Sequence, residues 1–166
     1  MTSEAQEKGR TILVAVDEGE HSLYALEWAL DTLLIGRLPN DCVYILYVKP
    51  SHANLSGPGL AFVLTTEAVN SLERYDESIF QKVMESVGKM CGQRKVHFEV
   101  KVLTGDPRDM ITETAETLKA TFLVMGSHGF GVIKRAFLGS VSDYCAHHVH
   151  CPVVIVKKPE SLDDDE

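Results

Sequence analysis

The stretch MGSHGFGVIKRAFLGSVSDY, Met125 to Tyr144, sets four glycines among small hydroxyl and imidazole side chains. Gly126, Gly129 and Gly131 remove the side chains that would keep a ligand away from main-chain N–H groups, and they permit positive φ. After a gap of nine residues counted from Gly129 the chain returns at Gly139, Ser140, Val141 and Ser142, where a helical pattern begins. A helix N-terminus offers N–H donors without intrahelical partners and a partial positive charge. With two hydroxyls beside it, that end favours an anion, above all a phosphate. Glycines after a strand can also serve the turn alone, and the later Gly-Ser at a helix start supplies only the smaller part of the weight for a ligand. Lys134 and Arg135, inside the gap, are candidates to neutralise phosphate, set against the plainer reading of solvated surface charge.

Other chemistries fit the sequence less well. Ser127 and His128 are adjacent, but sequence neighbours rarely face each other in a triad, and Gly-Ser-His-Gly is not the Gly-x-Ser-x-Gly of a nucleophile elbow. Their backbone is what matters here. The run CAHHVHC, Cys145 to Cys151, invites a metal, yet structural zinc wants four convergent ligands; histidines complementing a helix C-terminus are the simpler account. No Walker loop is present, and no carboxylate pair is evidently aimed at the phosphate end, which favours binding over turnover and leaves at most a slow ATPase as the alternative. A phosphate-receiving signalling domain needs an acceptor aspartate at the end of the third strand, where Asp106 is better explained as a helix cap. GSHGFG is not the dinucleotide fingerprint and follows the fourth strand instead of the first.

The elements that position these residues follow from periodicity. TILVAV (11–16) is a continuous β-branched and aliphatic run suited to a strand buried on both faces. The stretches 42–48, 96–103, 121–125 and 152–157 repeat the theme, making five strands. Between them Leu23, Leu26 and Leu30 share one helical face, and Val69, Leu72, Ile79, Val83, Val87 and Met90 mark a longer helix. Asp106 and Pro107 announce a third, with Ile111, Ala115 and Leu118 on one face. A fourth runs from about Gly139 to His150, with Ser140 and Asp143 as a capping-box variant. Trp28 reads as a packing residue. Alternation of strand and helix with right-handed crossovers predicts an α/β, doubly wound parallel sheet. Ligands of such sheets gather at the carboxyl ends of the strands, where strand order reverses. The connection 49–66 is long and carries Leu60, Phe62, Val63 and Leu64; it is either a lid or a pinned loop.

The chain has 166 residues, 45% hydrophobic and 24% charged, enough for one domain, expected over 11–158 between a polar leader (1–10) and an acidic tail (159–166). A net charge of −8 disfavours a nucleic-acid partner. No apolar run is long enough to span a bilayer and the start lacks a signal-peptide core, so the reading is intracellular, with four free cysteines and no membrane partner.

Gly126-x-x-Gly129, nine residues, then Gly139-Ser140 resembles the nucleotide-binding signature of the universal stress protein family in its ATP-binding branch. ILVAVDEGEHSLYALEWAL, TGDPRDMI and CPVVIVK support the likeness, which covers Thr11 to Lys158; the long loop and acidic tail resemble plant members. The resemblance implies a five-stranded sheet in order 3-2-1-4-5, Rossmann-like and of the adenine nucleotide alpha hydrolase-like type. Its ligand would be ATP or AMP, with Mg²⁺ left open. Carried over by position, Ala15, Asp17 and Val48 would surround adenine and ribose. Gly126, Ser127, His128, Gly129, Phe130, Gly131 and Val132 would wrap ribose and phosphates, and Gly139, Ser140, Val141 and Ser142 would cap the phosphate end. The family also implies a stress-responsive homodimer through strand five (Val153, Val154, Ile155, Val156), cytoplasmic with access to the nucleus left open.

Overall fold

The computed structural model describes residues 8–52, 66–129 and 138–159. Thr11–Val16 forms β1, Glu20–Thr32 α1, Cys42–Lys49 β2, Thr66–Gln93 α2, Glu99–Thr104 β3, Pro107–Thr117 α3, Phe122–Gly126 β4, Ser140–His148 α4 and Val153–Val156 β5. All strand pairs are parallel and the order is β3-β2-β1-β4-β5. The chain is therefore a doubly wound, Rossmann-like sheet, as its alternating pattern predicts.

β1 lies at the centre and is buried from Ile12 to Val16, which explains why its sequence is apolar without alternation. Alternate residues feed two separate cores. Ile12, Val14, Val16 and Ile45 pack with Leu26, Leu30, Val83 and Val87 of α1 and α2. On the other face Leu13, Ala15, Leu46 and Leu123 pack with Ile111, Ala115 and Cys145 of α3 and α4. Trp28 packs at the margin of the first core.

Element boundaries depart from the sequence expectation in two places. β3 starts at Glu99 instead of Val96, because α2 closes with paired bonds from Val96 N–H to Cys91 O (3.0 Å) and Lys95 N–H to Gly92 O (3.2 Å). This is a Schellman motif, with Lys95 at φ 55° in the position glycine usually takes. The same motif ends α3, where Lys119 has φ 50° and Ala120 N–H reaches Ala115 O at 2.9 Å. α4 begins with Gly139 as its cap and no side-chain capping bond, so the Ser140–Asp143 box does not form. Asp106 does cap α3, accepting from Arg108 N–H at 2.9 Å, and Arg108 in turn holds its carboxyl below the usual range.

Arg10, placed in the leader on sequence grounds, is firmly tied. Its guanidinium grips the buried Asp41 carboxylate at 2.6 and 3.0 Å, and Gly36 N–H adds a bond at 3.1 Å. Burial works to raise the Asp41 pKa, but the Arg10 bond and charge and the two main-chain donors outweigh it and bring it below the normal value.

Candidate functional site

The strand order reverses between β1 and β4, and the segments leaving these strands meet there. Asp17 follows β1 directly. Its Oδ1 accepts from Gly19 N–H at 2.8 Å, an Asx turn encoded by Asp-x-Gly, and lies 2.8 Å from the Ser22 hydroxyl. Ser22, buried in the first turn of α1, also accepts from Asp17 N–H at 3.0 Å. The carboxylate is thus fixed before any ligand arrives. Ser22 has no motif of its own in the sequence; the Asx turn was the available signal.

Ser127, His128 and Gly129 follow β4 on the other side. Ser127 is 1% exposed, and its N–H donates to Val156 O of β5 at 3.0 Å. Its carbonyl accepts from Gly139 N–H and from the Ser142 hydroxyl, both at 2.8 Å. The mouth of α4 is therefore braced against the loop after β4. The first bond within α4 runs from Asp143 N–H to Gly139 O, so the amides of Ser140, Val141 and Ser142 have no carbonyl partner inside the helix.

Several expected roles change on this geometry. Ser142 does not offer its hydroxyl outward: it is 2% exposed and its proton goes to main-chain carbonyls. Ser140 is exposed at the helix mouth, and Val141 packs partly into the α3/α4 core. Gly126 and Gly129 do not take positive φ. A Cβ at Gly126 would lie 2.7 Å from His21 C and 2.9 Å from Ser22 N, so this glycine lets the first turn of α1 sit on β4. A Cβ at Gly139 would stand 3.2 Å from His128 Cα, and one at Gly129 only 3.3 Å from Asp17 Oδ2. Of the three, Gly129 is the one whose bare face looks across to the carboxylate. Phe130, Gly131, Val132, Lys134 and Arg135 lie outside the described residues, as does most of the connection 49–66.

Ala15 is buried in β1 and Val48 half-buried in β2, on the face covered by α3 and α4. His21 enters the site without any forewarning in the sequence. Its ring meets that of His128 at a centroid distance of 5.3 Å, and its Nδ1 is, among the described residues, the buried side-chain polar atom without a hydrogen-bond partner. His128 Nδ1 sits 2.9 Å from Ser127 Oγ, so these sequence neighbours do share a hydrogen bond, on a serine that is itself buried. On the far side of β2, burial and then Glu18, Asp76 and Asp17 push the Tyr47 hydroxyl up to about 12, so it stays a neutral group.

The histidines of CAHHVHC point apart. His147 and His148 each bring Nδ1 within 2.8 Å of the carbonyl one turn back, and His150 pairs with Glu116 at 2.8 Å. Among the described residues no group of three or more His, Cys, Asp or Glu side chains could hold a metal, and no helix is long and apolar enough to cross a membrane. The four cysteines are free thiols.

Comparison with known proteins agrees with this fold. The sequence profile of the Universal stress protein family matches residues 9–157. Universal stress protein PHOS34 of Arabidopsis thaliana is 35% identical over 93% of this chain; the chain spans 64% of that relative's length. Among solved structures, the universal stress protein UspA from Lactobacillus plantarum superposes with a TM-score of 0.70 at 18% identity, covering 90% of this chain and 98% of its own. A family protein from Arabidopsis thaliana with AMP bound gives 0.64 at 21% identity, over 90% and 92%.

Proposed function

The chain belongs to the universal stress protein family, and from that premise we propose that it is an adenine-nucleotide-binding module that takes ATP or AMP and works as a dimer in a cytoplasmic stress response. The observation that carries the reading is the braced mouth of α4. Three first-turn amides of a nine-residue helix open at the strand-order reversal, its cap Gly139 lies beside Gly129, and Gly129 borders a carboxylate already fixed in place. Amides and helix dipole suit the phosphates, and Asp17 suits the ribose hydroxyls, for which it is an acceptor. Gly129 keeps the space between them clear. Ala15 and Val48 supply apolar walls for the base. The buried Nδ1 of His21 adds a polar atom that has no partner among the described residues. Mg²⁺ would enter on the phosphates, since the described side chains do not converge on a metal.

The dimer would form through β5, an edge strand whose Val153, Val154 and Ile155 remain half-buried in the single chain. Pairing with a second copy in an isologous contact removes that edge.

The test is to denature freshly purified protein, identify any released nucleotide by chromatography, and titrate ATP and AMP calorimetrically. Binding of either, weakened in Gly129→Val, supports the module. Absence of both released nucleotide and heat overturns it. Steady phosphate release under excess ATP and Mg²⁺, lost in Gly129→Val, would replace the module with an ATPase. Light scattering that shows a monomer at micromolar concentration refutes the dimer.

A further inference from the structure

The second edge of the sheet has features that neither the nucleotide site nor the β5 dimer uses. β3 has β2 on one side and, among the described residues, no strand on the other. Gly105 N–H donates to Lys49 O at 3.1 Å, so the odd-numbered residues of β3 turn their main-chain groups toward β2. Alternation then aims those of Val100 and Val102 outward.

The side chains alternate too. Val100 and Val102 pair in register with Ile45 and Tyr47, which places all four on the face covered by α1 and α2. Ile45 and Tyr47 are 0% and 4% exposed, whereas Val100 and Val102 are 41% and 40% exposed. The helix layer covers β2 and stops short of β3. On the opposite face Glu99 and Lys101 carry opposite charges two residues apart, and Lys101 Nζ sits 5.3 Å from the Tyr44 ring centre.

We propose that the β3 edge docks a second copy of this chain, antiparallel and two-fold symmetric about Val100. In that register Glu99 faces Lys101 of the partner copy, twice by symmetry. Val100 meets its own counterpart, and Val102 meets Phe98 of the partner copy. Parallel pairing in register would set Glu99 on Glu99 and Lys101 on Lys101, which is repulsive. Centring on Lys101 opposes two lysines, and centring on Val102 leaves both charges without an opposite. Edge charges in many proteins prevent pairing; here their alternating signs complement the same strand turned around. With β5 occupied by a different contact, two-fold contacts at opposite edges would link dimers into a linear array.

Register-specific cross-linking tests this in the full-length protein. With exposed Cys42 replaced by serine, Val100→Cys and Val102→Cys are oxidised mildly at high protein concentration. Antiparallel hydrogen-bonded partners have Cα atoms about 5.5 Å apart, within the range of about 4.4–6.8 Å that a disulfide spans. Two copies of Val102 would be offset by four residues, about 14 Å. The expected result is disulfide-linked dimer several-fold faster from Val100→Cys. Equal rates overturn the proposal, whatever β5 does. Sedimentation supplies a second readout. Glu99→Lys should abolish the mass increase seen at high concentration, and Glu99→Lys combined with Lys101→Glu should restore it. A wild type whose mass is independent of concentration beyond the β5 dimer, or a double variant no different from the single one, also overturns it.

Discussion

Gly126→Ala isolates the role of the first glycine of the motif. The added methyl would lie 2.7 Å from His21 C, 2.8 Å from His21 O and 2.9 Å from Ser22 N. All three are main-chain atoms in the first turn of α1, so no side chain can swing away, and relief takes a displacement of about 0.7 Å toward ordinary contact distance. That turn is held by the Ser22–Asp17 bonds, which resist it. Overpacking costs about 1–3 kcal/mol, and an unyielding backbone places this site in the upper half. The loss of glycine's freedom in the unfolded chain returns about 0.4–1 kcal/mol. The net expectation is a loss of about 2 kcal/mol, or a fall of about 4–8 °C in Tm for a domain of this size. Urea unfolding followed by circular dichroism reads the first figure, and calorimetry the second. Gly139→Ala, whose nearest contact is 3.2 Å, should lose about 1 kcal/mol, part of it from a poorer N-cap. Gly129→Ala, opposed among the described residues by the Asp17 side chain alone, should stay within about 0.5 kcal/mol of wild type while weakening nucleotide binding. An unfolding midpoint for Gly126→Ala equal to wild type, or a Gly129→Ala loss as large, refutes the division of labour among these glycines.

Other consequences of the structure can be measured directly. Asp41→Asn leaves Arg10 without its charge partner and should cost about 3 kcal/mol in urea unfolding at pH 7. Because the Asp41 pKa lies below normal when folded, its contribution is present above the unfolded carboxylate value and lost as pH falls through the folded one. The difference between wild type and Asp41→Asn should accordingly shrink only in acid. Lys119→Gly relieves a left-handed backbone at the end of α3 and should raise stability by about 0.5–1 kcal/mol, read by urea midpoint. Burial pushes the thiols of Cys91 and Cys145 up to about 11. In native protein at pH 8 an alkylating reagent followed by mass mapping should therefore label exposed Cys42 first and reach those two only on unfolding.

The residues that carry a local, one-dimensional signal were legible. β1 spans the run TILVAV residue for residue, because a central strand needs nothing but buried side chains on both faces. Asp106-Pro107 marked the start of α3 because cap and first-turn proline are local rules. The ends of α2 and α3 were not marked, since lysine stands where glycine would have announced the left-handed residue. Gly126, which the sequence assigns to a ligand, makes room for a helix turn from far away in the chain, a contact no spacing rule contains. Ser142 likewise reads as a ligand donor in sequence and becomes an internal brace once Ser127 O is beside it. Ser22 and His21 enter the site only through folding of α1 over β4.

Ser127 gives its amide to the final strand and its carbonyl to two groups of the last helix. A single residue is thus the rivet joining the sheet's outer margin to the mouth of the last helix. Whatever grips the helix mouth from solvent reaches the margin through the two peptide groups that flank this one residue.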